Sequence, residues 1–186
     1  MDVISVIHKD HANLAELLNA VERQLATFER GERPDYDIIQ GALDYCLNYP
    51  GLYHHPMEDL IMRKLRARDP ATAEAVGDLE ADHQALNDET RRFAAVVDDI
   101  LQEVEVQRET FQTTARSFIE HYRGHMEKEE KVFLPAAAKA LNDTDLAEIV
   151  AEMGRREDPL FERGDSDSAR FEALRKNLMD WSREAP

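Results

Sequence analysis

His11, His54-x-x-x-Glu58, His83 and His125-x-x-x-Glu129 are one arrangement written twice along a chain of 186 residues. His54 follows His11 by 43 residues, and His125 follows His83 by 42. Each half opens with an Asp-His pair, Asp10-His11 or Asp82-His83, and closes with His and Glu four apart and a second acid, Asp59 or Glu130. Imidazole nitrogens and carboxylate oxygens presented at helical spacing by four segments are the donors that a buried two-metal site in a helix bundle needs.

Each feature alone carries little. A lone His on an apolar stripe is ordinarily a hydrogen-bonded core residue, and one His-x-x-x-Glu is an ordinary i,i+4 surface pair. Chance does not supply two such pairs, each preceded by Asp-His at nearly the same interval, all on core stripes. Burying even one unpaired carboxylate costs several kcal/mol or forces it neutral. Two carboxylates and four imidazoles in one core layer therefore need compensating charge. A pair of divalent or trivalent cations provides it, and their binding then stabilises the fold.

The segments that must hold these donors read as helices. Ile4, Ile7, His11, Leu14, Leu18, Val21, Leu25 and Phe28 recur at steps of three and four, with Asp2 as the expected N-cap. Gly31-Glu32-Arg33-Pro34-Asp35 breaks the pattern before a second stripe of Ile39, Leu43, Leu47, His54, Glu58, Ile61 and Leu65. Pro50-Gly51 is expected to kink or unwind that helix one turn before His54, and Asp69-Pro70 to end it. The third stripe is Leu79, His83, Leu86, Thr90, Phe93, Val97, Ile100 and Val104; the fourth is Phe111, Ala115, Phe118, Tyr122, His125, Glu129, Val132 and Ala136. Four amphipathic helices with short connections predict an all-α, up-down-up-down antiparallel four-helix bundle over residues 1–142. Residues 143–186 read as a short C-terminal helical extension packed on the bundle or on a partner chain. In it Asp145 and Glu148 resemble a capping box, 164–168 is a loop, and Phe171, Leu174, Leu178 and Trp181 form an apolar stripe.

Composition bounds the rest. Seven Gly and seven Pro suit a mostly helical single domain. A net charge of −16 leaves no basic stripe for nucleic acid or an anionic membrane. One cysteine, Cys46, excludes an intrachain disulfide framework and suggests a reducing compartment. The start, Met1-Asp2-Val3-Ile4-Ser5, has no basic region or long apolar run, and no stretch is apolar enough to span a membrane. The expected location is the cytoplasm.

Over residues 1 to about 140 the chain resembles the hemerythrin family, specifically its HHE cation-binding branch. The resemblance rests on Asp10-His11, the run Tyr53-His54-His55-Pro56-Met57-Glu58-Asp59, Asp82-His83, and the run from His125 to Pro135. It implies a non-haem diiron centre with His11 and His54 on one iron and His83 and His125 on the other. Glu58 and Glu129 would bridge the two, together with an oxo or hydroxo group. Oxygen-carrying members have a second His one turn away on the third helix, where this chain has Leu79 and Asn87. His121 is the first substitute, then His8 and Glu80, with Tyr49 and Tyr53 near the proline as further candidates. His55, Asp10, Asp82, Asp59 and Glu130 are expected to face solvent or to orient the imidazoles from behind. A ferritin-like site needs two Glu-x-x-His motifs, and only Glu80-x-x-His83 fits, so that rival fails on spacing.

The expected function is that of a soluble diiron protein that binds or reacts with oxygen, nitric oxide or peroxide. A peroxidase- or catalase-like activity is left open. Six protein ligands leave two open iron positions, favouring a sensor or a peroxide-reactive centre; a seventh ligand shifts the balance towards reversible oxygen carriage. An iron- or oxygen-responsive interaction module, forming a homo-oligomer or meeting a protein partner through the C-terminal helix, is the alternative.

Overall fold

The computed structural model describes residues 3–153, 158, 160, 171 and 174–178, and every regular element among them is helical. Helix α1 (Val3–Glu29) buries Ile7, His11, Leu14, Leu18, Val21 and Leu25, the stripe expected from its periodicity. Its expected cap, Asp2, lies outside the described residues, as do the 164–168 loop and Trp181. Gly31, at φ +84°, turns the chain in the left-handed region that glycine enters freely. Asp35 then caps α2 (Tyr36–Tyr49), accepting from the backbone N–H groups of Asp37 and Ile38.

The region expected to kink at Pro50 stays helical and widens instead. Residues Pro50–His54 form one π turn, closed by the His55 N–H donating to the Pro50 carbonyl, and α3 (His55–Arg68) follows directly. A second π turn, which periodicity did not foreshadow, occupies Glu129–Phe133 between α6 (Arg108–Lys128) and α7 (Leu134–Ala140). Each ends two residues before a proline, Pro56 or Pro135. A proline cannot donate to the carbonyl four residues back, and its ring crowds that carbonyl; an extra residue in the turn relieves both. The extra residue also rotates the helix faces on either side by about 100° relative to one another. This is why Val132, expected inside, is 45% exposed while Phe133 and Leu134 are buried. Leu47, which precedes the first π turn, is half-buried, while Cys46 and Tyr49 are core residues.

Asp69-Pro70 ends α3 as expected, but Asp69 at once caps a short helix, α4 (Pro70–Val76). Helix α5 (Leu79–Leu101) buries Leu79, His83, Leu86, Thr90, Phe93 and Val97; Val104 falls beyond it and is exposed. Helices α1, α2, α6 and α5 form a closed circuit in which each packs on two of the others. Contacts between neighbours run in opposite chain order. Phe28 meets Phe111, Glu22 meets Arg123 and His8 meets Glu130 between α1 and the α6 side; Gln40 meets Asp98 and His55 meets His83 across α2–α3 and α5.

Two apolar clusters result. One holds Leu14, Leu18, Tyr49, Leu86, Phe93 and Tyr122; the other holds Ile7, Ile61, Leu79, Phe133 and Leu134. On every helix the candidate donors fall between members of the two clusters, so they form a polar layer across the core. Each large apolar side chain buried above and below contributes about 2 kcal/mol, which is how the fold sustains such a layer.

The C-terminal residues described cover the bundle. Helix α8 (Asp143–Met153) packs on α3 and α1. Its cap pairs Asn142 with Asp145, since Asn142 Oδ1 accepts from the N–H groups of Thr144 and Asp145 while the Asn142 N–H donates to Asp145. Glu148, expected in that role, pairs with Lys64 instead. Leu160, Phe171, Leu174 and Leu178 are buried within the first cluster, and Asp158 accepts hydrogen bonds from Tyr45 and Asn13. No described helix is long and apolar enough to cross a membrane.

Candidate metal centre

All six expected donors are brought together and buried. Glu58 and Glu129 have no exposed surface, and His11, His54, His83 and His125 are each no more than 7% exposed. His11 Nε2 faces Glu58 Oε1 at 3.6 Å and Glu129 Oε2 at 3.3 Å. His54 Nε2 lies 3.5 Å from Glu58 Oε2, and His83 Nε2 lies 3.3 Å from the same oxygen. Glu129 Oε1 is 2.9 Å from His125 Nε2 and 3.5 Å from His83 Nε2. Glu129 thus turns one oxygen to the His83 and His125 side and the other to His11. The donors fall into two groups, each drawn within 4.8 Å: His11, His54, Glu58 and Glu129; and His55, Glu58, His83 and His125.

Several of these atoms are close to one another yet lack hydrogen bonds. His11 Nε2, both Glu58 oxygens, Glu129 Oε2, His83 Nδ1 and both nitrogens of His125 are buried with no hydrogen-bonding partner among the described residues. Buried polar atoms are normally satisfied, and leaving one unsatisfied costs about 1–3 kcal/mol. Of these, His11 Nε2, His125 Nε2, both Glu58 oxygens and Glu129 Oε2 each lie at ion-pair distance from a carboxylate or imidazole of the layer without a hydrogen bond, an arrangement that fits a shared cation. The donor set, imidazole and carboxylate, suits first-row metals such as iron, manganese or zinc.

Acids stand behind three imidazoles. His11 Nδ1 is 2.7 Å from Glu130 Oε1, His54 Nδ1 is 3.2 Å from Asp10 Oδ2, and His83 Nδ1 is 3.3 Å from Asp59 Oδ1. A carboxylate there fixes the ring and directs Nε2 inward. Asp10, Asp59 and Glu130 thus hold the imidazoles from behind, as expected. Asp82, by contrast, pairs with Lys128 at the surface.

Without a cation the layer is a cluster of ion pairs. Burial disfavours the charged form of His11, but contacts with Glu129 and Glu58 prevail and raise it to about 10. His83 is likewise raised to about 11, burial being overcome by Asp59, Glu129 and Glu58. Burial opposes ionisation of Glu58 and Glu129 too, yet the surrounding imidazoles keep both below the usual carboxylate range. His55 goes the other way: burial, then the neighbouring His83, His54 and His125, hold it neutral.

His55 lies directly against the site. Expected behind the site or at the surface, it is 8% exposed and stacks on His83 with ring centroids 4.1 Å apart and planes 8° from parallel. The π turn is the cause: by widening the helix immediately before His55 it lets two consecutive histidines both face inward. The His54-His55-Pro56 run was the available signal.

The expected substitutes lie elsewhere. His121 donates to Glu89, 2.5 Å away, on the α5 side of α6, and its side chain is 37% exposed. His8 is exposed and bonds Glu130. Tyr49 stacks on Tyr45 within the apolar cluster, and Tyr53 packs against Tyr49. Glu80 is exposed at a cavity of about 190 Å³ that reaches His55 and His83. Cys46 and Tyr122 line the same cavity, and burial pushes the Cys46 thiol up to about 12, which disfavours a free thiolate there.

A family model described as the hemerythrin HHE cation binding domain matches residues 2–137, the span that contains every donor above. The chain has no match among curated proteins or among solved structures.

Proposed function

The chain belongs to the hemerythrin HHE cation-binding family, and on that premise we propose that it is a non-haem diiron protein that binds or reacts with a small molecule such as oxygen, nitric oxide or peroxide. The observation that carries this reading is the convergence of unpaired imidazole and carboxylate atoms from both halves of the chain in one buried layer. His11 and His54 would hold one iron and His83 and His125 the other, with Glu58 and Glu129 between them. His55 stands where a seventh protein donor would be needed, at the His83 side. Iron bound there would supply one-electron redox chemistry and an open position for a small ligand.

The chain's own residues do the rest. Glu58 and Glu129 balance the positive charge and tie the two halves together. Asp10, Asp59 and Glu130 orient imidazoles. The apolar clusters on either side keep bulk water away, which strengthens every electrostatic interaction within. A seventh donor at His55 moves the balance towards reversible binding of oxygen or nitric oxide, ahead of peroxide turnover. We read the bundle as an up-down-up-down antiparallel four-helix arrangement over residues 1–142, supported by the closed circuit of α1, α2, α6 and α5 and by the opposed order of their contacts. Residues 143–186 are then a helical appendix on it. Phe171, Leu174 and Leu178 are buried against the bundle, so these three are not free to meet a partner, which weakens the interaction-module reading. A cytoplasmic location remains our expectation from the single cysteine.

The test is elemental analysis with optical spectra of purified protein before and after dithionite, oxygen, nitric oxide and peroxide. Iron, bands of an oxo-bridged diferric pair and a reversible response to oxygen or nitric oxide are expected. A colourless protein containing only zinc would contradict the reading.

A further inference from the structure

The candidate donors are buried, and yet a metal must reach them. We propose that the cavity beside His55 is the way in for divalent cations, collected by Glu80 and Asp59 at its mouth and received by His55 at its inner end. This rests on the reading of the polar layer as a metal centre.

Three observations carry it. The cavity, about 190 Å³, has His55 and His83 in its lining, and both belong to the inner donor group with Glu58 and His125. It therefore reaches from solvent to donor residues, with Cys46 and Tyr122 of the first apolar cluster forming one wall. Its lining carries two carboxylates, Asp59 and Glu80, and no lysine or arginine among the described residues. In a chain of net charge −16 this opening draws cations and turns anions away. Finally, His55 is more than nine-tenths buried and lines the cavity, with ring contacts to its neighbours and no hydrogen bond among the described residues. An unpaired imidazole between solvent and the other donors is placed to take a hydrated cation and replace part of its water shell.

The opposite edge is built differently. There His11 is closed off by Glu130, which His8 holds from outside.

The experiment follows cobalt(II) uptake by metal-free full-length protein in a stopped-flow instrument, using the d–d absorption, with cobalt per chain measured at the end. Gly51 lines the cavity and a Cβ there meets nothing within 4 Å, so Gly51→Phe is the substitution chosen to narrow the opening. Uptake should slow at least tenfold in Gly51→Phe and about tenfold in Glu80→Lys, with both still reaching two cobalt per chain. Added salt should slow uptake by the wild type and have much less effect on Glu80→Gln. His8→Gln, on the opposite edge, should load at the wild-type rate. His55→Ala should load slowly and show altered final bands. Wild-type rates in both Gly51→Phe and Glu80→Lys, with two cobalt bound, would overturn the entrance alone. No cobalt uptake by the wild type would overturn the metal centre and the entrance with it.

Discussion

At the His11 edge of the polar layer the imidazole is backed by Glu130, Glu130 is held from outside by His8, and the neighbouring His54 is backed by Asp10. At the His83 edge the imidazole is backed by Asp59, lies against the ring of His55 and borders a cavity that reaches solvent. The two halves of the sequence repeat supply the same donors, His then His-x-x-x-Glu. They do not supply the same surroundings. The supports come from neighbouring positions that the repeat does not govern, and the π turns fall differently, ahead of Glu58 in one half and from Glu129 onward in the other. A repeat can thus specify a shared site while making its two positions inequivalent, one closed by ion pairs and one open.

The most drastic way to break the comparison is to remove what the two edges share. Glu58→Ala or Glu129→Ala should abolish binding of both metals, because each carboxylate faces imidazoles from both halves. Metal analysis decides it: a variant that keeps one metal at full occupancy would show that the two sides are independent.

Stripping the metal is the next largest perturbation. A ligand present at a thousandfold over its Kd adds about 4 kcal/mol to stability, which for a chain of this size is roughly 10 °C in melting temperature. The metal-free protein should melt lower by at least that amount in calorimetry. Equal melting temperatures would mean that the buried donors do not hold a cation.

Changing the backing acids one at a time separates the edges. Glu130→Gln should weaken binding at the His11 side and Asp59→Asn at the His83 side, each by roughly 10- to 100-fold. Competition titrations against a chelator, with spectra reporting which metal is lost, check this. The same loss from both substitutions would remove the distinction between edges.

A smaller effect follows from pH. His11 and His83 are raised to about 10 and about 11 in the metal-free protein. Groups raised above their unfolded value of about 6.5 stabilise fully below that pH and lose the contribution as pH climbs through 10 to 11. Denaturant unfolding should show the metal-free chain weakening over that window while the loaded chain changes less. Metal must displace those protons, so its affinity should rise with pH, with proton release on binding. An affinity that is flat between pH 6 and 9 would contradict the ion-paired resting state.

The smallest effect is expected at His121. It serves Glu89 at a partly exposed position, so His121→Ala should cost at most about 1 kcal/mol and leave the metal spectrum untouched. A spectral change would return His121 to the site.

Much of this was legible in the residues. The inward stripes of α1, α5 and most of α6, with His11, His83 and His125 on them, follow from steps of three and four that a regular helix converts directly into a face. A local disturbance at Pro50-Gly51 was legible, though not its π form, and the second π turn was not, because nothing in hydrophobic spacing marks an inserted residue until the stripe slips. That slip put Val132 on the wrong face and turned His55 inward beside His54. The substitutes for a seventh donor were sought one turn along the same helices, at His121 and His8, whereas the third dimension brings His55 to His83 from a different helix. Caps were harder to read: Asp69 was legible as the end of α3 but not as the cap of α4, and at α8 Asn142 rather than Asp145 begins the motif.

The most direct test is iron titration into metal-free protein, followed by zero-field Mössbauer spectroscopy of the oxidised product. The account predicts saturation at two irons per chain, spin-coupled, giving two doublets of equal area because one iron sits at the closed His11 edge and the other at the open His83 edge. Saturation at a single iron, or two irons without magnetic coupling, would contradict it.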